Sequence, residues 1–340
     1  MTQYDELWRL ELLARLGAER SYFLRQLWGL DEETLSTRPL ADNWTVKDVL
    51  AHVAYWDGFN TDRMSKVIEG RIQEIQTFDD DEAVDAHNAQ CYRQFKEISL
   101  ESAAAMLLKE RSGFYALLER LPPEALHRRL QLTNGRRTHM RTWVRRRWLH
   151  DADHGQALVE WRKQLPDMIK GQRMGPKYIL RALLQTTRKE FLLTADLIPE
   201  AERTTRPICG RWTLKDLTGH LADWEWVAID GLRQLAAGQS PEFSYTIALN
   251  FDEFNNARAA ARRDQSWDEI WHDFKENRRQ LLALFDAMPE SQLTRQFMAP
   301  WNRPTNGYLW TTVWFGHEHE HAIDVRQSLP IKNWPKRLRP

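Results

Sequence analysis

Apolar side chains recur every three to four residues along most of the chain, a spacing that places them on one face of a helix. In residues 4–29 this stripe consists of Leu12, Leu13, Leu16, Phe23, Leu24 and Leu27. The same kind of spacing predicts further helices near 45–70, 100–120, 138–161, 177–197, 213–237, 266–287 and 309–327. Strand signals are weak throughout, so the pattern predicts an all-α protein with four long helices in each half.

Capping signals mark where two of these helices begin. Thr45 followed by Asp48 resembles a capping box, and Thr213 followed by Asp216 repeats it. Between the second and third helices, residues 71–87 form a long acidic stretch. That stretch fits the long crossover connection of a four-helix bundle.

The two halves of the sequence repeat each other. Residues 38–57 and 206–225 are identical at nine of twenty positions, at an offset of 168. Later landmarks such as His150 and His317 keep an offset of 167, which a one-residue deletion in the second half explains. A period of this length is far too long for a solenoid repeat and indicates a duplicated domain.

Helical periodicity breaks between the repeats, in the Pro- and Gly-containing segment 166–176. The sequence therefore predicts two domains, each a four-helix bundle. We call 1–168 copy one and 177–340 copy two.

Composition and charge exclude several classes of function. Lys and Arg total 48, as do Asp and Glu, so the basic footprint of a nucleic-acid-binding protein is missing. No apolar run approaches the roughly 20 residues that cross a bilayer, and residues 1–10 lack the apolar core of a signal peptide. The two cysteines, Cys91 and Cys209, lie in different halves, so no disulfide framework is indicated. They do not correspond between copies, which argues against a shared cysteine nucleophile. We expect a cytoplasmic protein without nucleic-acid or membrane partners.

Histidines supply the candidate chemistry. Each copy has two histidines four residues apart on one helix face, and a third lies two turns into another helix. A pair alone is typical of an ordinary helix surface, but three neutral imidazoles can meet on one divalent ion and leave a fourth position open. Because the pattern occurs twice, we predict a metal centre in at least one copy. The six residues are His52, His150 and His154 in copy one and His220, His317 and His321 in copy two.

Three matched pairs of residues flank these histidines. The aspartates either orient the histidines or cap the helices, and the tryptophans either wall the site or pack the core. The asparagines either hydrogen-bond near the pocket or cap a loop. The pairs are Asp48 and Asp216, Trp56 and Trp224, and Asn88 and Asn255.

Charged residues adjoin the paired histidines of each copy, and each of them has a structural interpretation besides a functional one. The neighbouring carboxylates could act as a general base, but adjacent helical positions point about 100° apart, so we expect a solvated face. His319 should point away from the ligands for the same reason. The arginines before His150, with Arg147 nearest, either bind the carboxylates of a thiol cofactor or an anionic substrate, or form a charged outer face. These groups are Asp151, Asp153, Glu318 and Glu320, and Arg141, Arg145, Arg146 and Arg147.

The motifs around the histidines resemble those of the DinB-like superfamily. They are Trp-Thr-Val-Lys-Asp-Val-Leu-Ala-His at 44–52 with His150-Asp-Ala-Asp-His154, and their counterparts at 212–220 and 317–321. The resemblance covers both halves and implies a four-helix bundle with a long crossover. It also implies that the six histidines are the metal ligands. Members include bacillithiol- and mycothiol-dependent transferases, a thiol-dependent maleylpyruvate isomerase and the ClbS/DfsB group.

The resemblance favours an enzyme in which an activated water or thiol attacks a small electrophilic substrate, as in thiol transfer, hydrolysis or isomerisation. A low-molecular-weight thiol is the implied second cofactor. All-histidine ligation suits Zn, Ni or Fe, with Cu also compatible. A protein that sequesters a metal or small molecule, and a bundle in which the histidines only pack the core, are the alternatives. Bundles of this family often pair, so we expect a monomer with an internal pseudo-dimer, or a homodimer.

Overall fold

The computed structural model describes residues 3–243, 251–330 and 334–338. The chain divides into two compact units, 1–186 and 187–340. The division falls inside the first helix of copy two, whereas the duplication places the boundary at 168–177. The sequence-based bounds and the internal pseudo-dimer stay predictions.

Copy one has four long helices, as the apolar spacing predicts. α1 packs against α7 and α3 packs against α5, which closes the bundle. The elements in chain order are α1 (Gln3–Arg25), α2 (Glu32–Thr37), β1 (Pro39–Ala41), β2 (Trp44–Thr45), α3 (Val46–Ile68), α4 (Asp81–Phe95), α5 (Leu100–Arg120), α6 (Pro123–His127), β3 (Arg129–Gln131), β4 (Arg137–His139), α7 (Met140–Gln164) and the linker helix α8 (Asp167–Lys170).

Copy two repeats this order, with the 3₁₀ turn Glu200–Glu202 in the place of α2. Here α10 packs against α12 and α14 around a core that includes Phe191, Leu217 and Phe274. The elements are α9 (Lys177–Ala195), β5 (Pro207–Cys209), β6 (Trp212–Thr213), α10 (Leu214–Ala236), α11 (Phe251–Ala261), α12 (Trp267–Ala287), α13 (Glu290–Leu293), β7 (Gln296–Met298), β8 (Pro304–Asn306) and α14 (Gly307–Gln327). Short 3₁₀ turns occur at Ile72–Glu74, Glu200–Glu202 and Lys336–Leu338.

The described residues also contain four short antiparallel hairpins, which the sequence did not predict. β1 pairs with β2, β3 with β4, β5 with β6 and β7 with β8. Each hairpin leads directly into α3, α7, α10 or α14, the helices that carry the six histidines. The hairpins therefore set where those helices begin.

The crossover in copy one is more helical than the sequence suggested. Its second part forms α4, which begins within the acidic stretch and packs on α3. The counterpart in copy two contains α11, which packs on α10. Both helices come close to the histidines. Within the described residues, no helix is long and apolar enough to cross a membrane.

Candidate metal centres

In copy one, three imidazoles meet where α3 crosses α7. His52 Nε2 lies 2.9 Å from His150 Nε2, and His154 Nε2 lies 3.1 Å from the same atom. His52 is buried and the other two are partly buried. The Thr45 cap fixes the start of α3, so His52 falls two turns into the helix and faces the pair on α7.

Copy two reproduces this arrangement on α10 and α14. His220 Nε2 lies 2.9 Å from His317 Nε2, and His321 Nε2 lies 3.1 Å from it. The ring centroids of His220 and His321 are 5.1 Å apart. Two independent sets of helices thus build the same three-nitrogen cluster.

Burial keeps five of the six imidazoles neutral. It lowers the pKa of His52 and of His220 to about 3, with nearby histidines adding to the effect. It lowers the pKa of His154 to about 4, and it holds the pKa values of His150 and His317 well below the ordinary value. A neutral imidazole has the free lone pair that a metal requires, so the ligands are competent at neutral pH.

The donor set fits a divalent ion. A tetrahedral ion with metal–nitrogen bonds of about 2.0–2.1 Å separates its nitrogens by about 3.3 Å. The nitrogen–nitrogen distances of 2.9 and 3.1 Å are close to this value, and all ligand atoms in each cluster lie within 4.8 Å of one another. Each cluster could hold one metal ion through three nitrogens and leave a fourth position open.

Asp48 and Asp216 cap their helices. Asp48 Oδ2 accepts hydrogen bonds from the backbone N–H and the hydroxyl of Thr45, each at 2.8 Å. Asp216 does the same for Thr213, at 2.9 and 2.8 Å. Each aspartate also lines a small pocket beside the histidine of its helix, so the cap lies at the edge of the site.

Trp56 and Trp224 are tied to the crossover helices through the two asparagines. Trp56 Nε1 donates to Asn88 Oδ1 at 3.0 Å, and Trp224 Nε1 donates to Asn255 Oδ1 at 2.9 Å. Both asparagines lie inside helices, so they do not cap loops. Because each tryptophan ring is also 6.4 Å from His52 or His220, the pair walls one side of the cluster.

The expectation of a solvated face is wrong for Asp151 and Glu318, which are 0% and 1% exposed. Asp151 points away from the histidine cluster, as the helix geometry required, but into the bundle core. There it accepts hydrogen bonds from Arg20 at 2.8 Å and from Arg111 at 2.8 Å. Asp57 bonds both arginines as well, so two arginines and two aspartates form a closed ring. Asp153 and Glu320 are exposed, as expected.

The same ring occurs in copy two, with glutamates in place of the aspartates. Arg188 and Arg278 each bridge Glu225 and Glu318. In both copies one member comes from each of the four long helices. The ring went unrecognised in the sequence, although comparing charged residues at the 168 and 167 offsets would have revealed it. The matches are Arg20 with Arg188, Asp57 with Glu225, Arg111 with Arg278, and Asp151 with Glu318.

The two centres differ in the side chain that contacts the Nδ1 atom of a candidate ligand. In copy two, His321 Nδ1 lies 2.8 Å from Asp324 Oδ2. In copy one, Arg147 Nη1 lies 3.4 Å from His150 Nδ1. His319 points away from the cluster and contacts Glu190 at 2.8 Å.

The arginine cluster divides between outer face and site. Arg141, Arg145 and Arg146 are exposed, in agreement with a charged outer face. Arg147 is buried, and its guanidinium lies 5.6 Å above the Trp56 ring. Its counterpart in copy two is Trp314, which stacks on Trp224 at 6.2 Å.

Cys91 also lies beside the first centre. It lines the small pocket next to His52, and burial raises the pKa of its thiol. The corresponding residue in copy two is Arg258, which pairs with Asp223. The surroundings of the two pockets have therefore diverged.

The fold and the two clusters define a tandem four-helix-bundle protein with two candidate metal centres. The chain belongs to the DinB superfamily, whose family model matches it twice, over 15–158 and 183–324. This confirms the resemblance of the sequence motifs.

Among solved structures, the chain is similar to the crystal structure of the mycothiol-dependent maleylpyruvate isomerase. The identity is 21% and the TM-score 0.37, with 55% of this chain and 72% of that chain covered. A mutant of the same enzyme matches at 19% identity and a TM-score of 0.35, with the same coverage. Comparison with curated proteins gave no match.

Proposed function

We propose that both histidine clusters bind a divalent metal, Zn, Ni or Fe, and that the protein is a metal-dependent enzyme acting on small electrophilic molecules. The observation that carries this proposal is the convergence of three imidazole nitrogens in each copy. A purely structural zinc site has four protein ligands, whereas three leave one position for a reactant.

When bound, the ion lowers the pKa of a water molecule or thiol at its open position towards neutrality. The chain's own residues position and shield that reactant. His52 and His220 approach from one helix and the paired histidines from another, while Trp56 and Trp224 keep water from one side. This arrangement suits thiol-dependent S-transfer or hydrolysis of the kind used in detoxification, with a low-molecular-weight thiol as co-substrate.

Elemental analysis of the purified protein tests the metal. We expect about two metal ions per wild-type chain, one in the single variants His150→Ala and His317→Ala, and none in the double variant. His319→Ala is the matched control, because His319 lies on the same helix as His317 but points away from the cluster. If no metal is bound after loading with Zn, Ni and Fe, the proposal is wrong.

Turnover tests the enzymatic part of the proposal. We expect the metal-loaded protein to consume electrophiles in the presence of a small thiol or water, and the double variant to lose this activity. Binding of one small molecule per site with no product would instead identify a sequestering protein. Folding of the double variant is checked by circular dichroism, so that loss of activity is assigned to loss of the metal.

A further inference from the structure

Two buried arginines lie along the seam where α3 packs against α7 in copy one. Arg63 lies on α3, with its guanidinium 4.4 Å above the Trp143 ring and 5.3 Å from Phe59. Arg147 lies on α7, above Trp56 and next to His150. The two are 8% and 7% exposed. Because the ring centroids of Trp56 and Phe59 are 5.0 Å apart, both arginines contact one continuous set of aromatic rings that begins beside His52.

Neither arginine forms a salt bridge with a carboxylate in the described part of the chain, although Asp57 and Asp151 attract Arg147 from a longer distance. The Nε atoms of both are buried without a hydrogen-bond partner. Burial lowers the pKa of each to about 10, against the value of 12.5 for a free arginine. Arg20 and Arg111 differ sharply, since each contacts two aspartates. Burying an unpaired cation is unfavourable, so Arg63 and Arg147 are suited to accept an anion.

Copy two shows that the bundle packs without these cations. The counterparts of Arg63 and Arg147 are Gly231 and Trp314. A Cβ atom at Gly231 would lie only 2.9 Å from Trp310 Nε1, so an aromatic ring occupies the space near that backbone. Trp301 stacks on Trp310 at 5.1 Å. The ring of four charges is kept in both copies, whereas Arg63 and Arg147 occur only in copy one, as expected of residues that serve ligand choice.

We propose that Arg63 and Arg147 bind the anionic group of a small organic carboxylate, which is the ligand class of copy one, whereas copy two takes uncharged ligands. The proposal rests on the proposed function, because Arg147 lies beside His150, one of the proposed metal ligands. A guanidinium matches a carboxylate with two parallel hydrogen bonds. The rings of Trp56, Phe59 and Trp143 offer apolar surface to the carbon skeleton.

Isothermal titration calorimetry of the full-length, zinc-loaded protein tests the proposal. The probes are acetate, succinate and benzoate, each compared with its uncharged amide, and inorganic phosphate. We expect a carboxylate to bind once per chain and its amide to bind at least about tenfold more weakly, because a charge-assisted bond is lost. Arg63→Gln and Arg147→Gln should each weaken carboxylate binding by at least about tenfold. Arg145→Gln, an exposed change on the same helix, should not.

Arg147→Trp guards against misfolding, because copy two already accommodates tryptophan at this position. It should retain zinc and lose carboxylate binding. Two carboxylates per chain, equal affinity for acid and amide, preference for phosphate alone, or unchanged binding in folded Arg63 and Arg147 variants would each overturn the inference.

Zinc content, measured on the same samples, separates the two proposals. Two zinc ions without carboxylate binding overturn only the inference about ligand class. No zinc overturns the proposed function, and titration of the metal-free protein then decides whether the arginines bind carboxylate by themselves.

Discussion

At the scale of single residues, the two centres differ in the side chain that contacts the Nδ1 atom of a candidate metal ligand. If His321 binds metal through Nε2, its Nδ1 carries a proton and donates to Asp324 at 2.8 Å. A carboxylate in this position fixes the ring and raises the basicity of the ligand. Copy one has Ala157 at the corresponding position, and it has a guanidinium close to His150. We therefore expect copy two to bind the metal more tightly.

Asp324→Asn tests this expectation. The change removes the negative charge and should weaken zinc binding at copy two by about 10- to 100-fold, with copy one unaffected. Competition with a chromophoric chelator in the His150→Ala background isolates the second centre. The control is Glu320→Gln, which alters an exposed carboxylate on the same helix. Equal affinities for Asp324→Asn and the control would show that the carboxylate does not tune the metal.

Spacing along the chain was enough to select the six histidines, because i and i+4 positions necessarily share a helix face. Spacing could not place Asp151 correctly. It showed that the carboxylate points away from His150, but not that Arg20 and Arg111 lie there instead of water. Contacts between helices far apart in sequence depend on how the helices pack, and the spacing of residues within one helix does not reveal them. The burial of Arg147 was missed for the same reason.

At the scale of helices, the ring of two arginines and two aspartates joins all four long helices of copy one. Burial disfavours ionisation of Asp57, but Arg111 and Arg20 outweigh it and lower the pKa of the carboxyl. Because Asp57 is five residues after His52 and Asp151 adjoins His150, the ring also fixes α3 and α7 relative to each other. The ring therefore lies next to the histidine cluster of copy one.

Arg111→Met should destabilise copy one by about 3–5 kcal/mol, because it leaves two buried aspartates with one arginine. The matched control is Arg120→Met, an exposed change on the same helix. Urea unfolding followed by circular dichroism measures the loss. Elemental analysis should also show less metal in copy one, measured in the His317→Ala background. If both variants unfold at the same urea concentration, the ring contributes nothing to the fold.

The long helices could be located from the sequence because each has a clear apolar stripe and two begin at a capping box. α4 could not be located, since Cys91 is its one buried residue and no stripe forms. The hairpins were missed for a related reason. β3 and β4 are three residues each, too short for the alternation of apolar and polar residues that identifies a strand.

At the scale of the whole molecule, duplication has kept the histidine cluster and the charged ring but changed what surrounds them. Copy one has Arg63, Arg147 and Cys91 where copy two has Gly231, Trp314 and Arg258. Conserved architecture with diverged surroundings favours two centres that share a metal and differ in ligand. A property that depends only on the burial of the histidines should therefore appear in both copies.

Acid sensitivity is such a property. Five of the six histidines have pKa values below the ordinary 6.5, with burial as the first cause. Between about pH 4 and 6.5 the unfolded chain binds protons at these positions and the folded chain does not. Stability of the metal-free protein therefore rises with pH across this window and falls on acidification. Each such histidine contributes about 1.4 kcal/mol per pH unit.

Thermal unfolding of the metal-free protein at pH 7.5, 6.5, 5.5 and 4.5 measures this dependence. We expect a nearly constant midpoint above pH 6.5 and a steep fall below it. The double variant, His150→Ala with His317→Ala, should show a shallower fall, because it removes two of the five histidines whose pKa values burial lowers. Identical pH profiles for the two proteins would place the acid sensitivity elsewhere, since other buried groups are common to both.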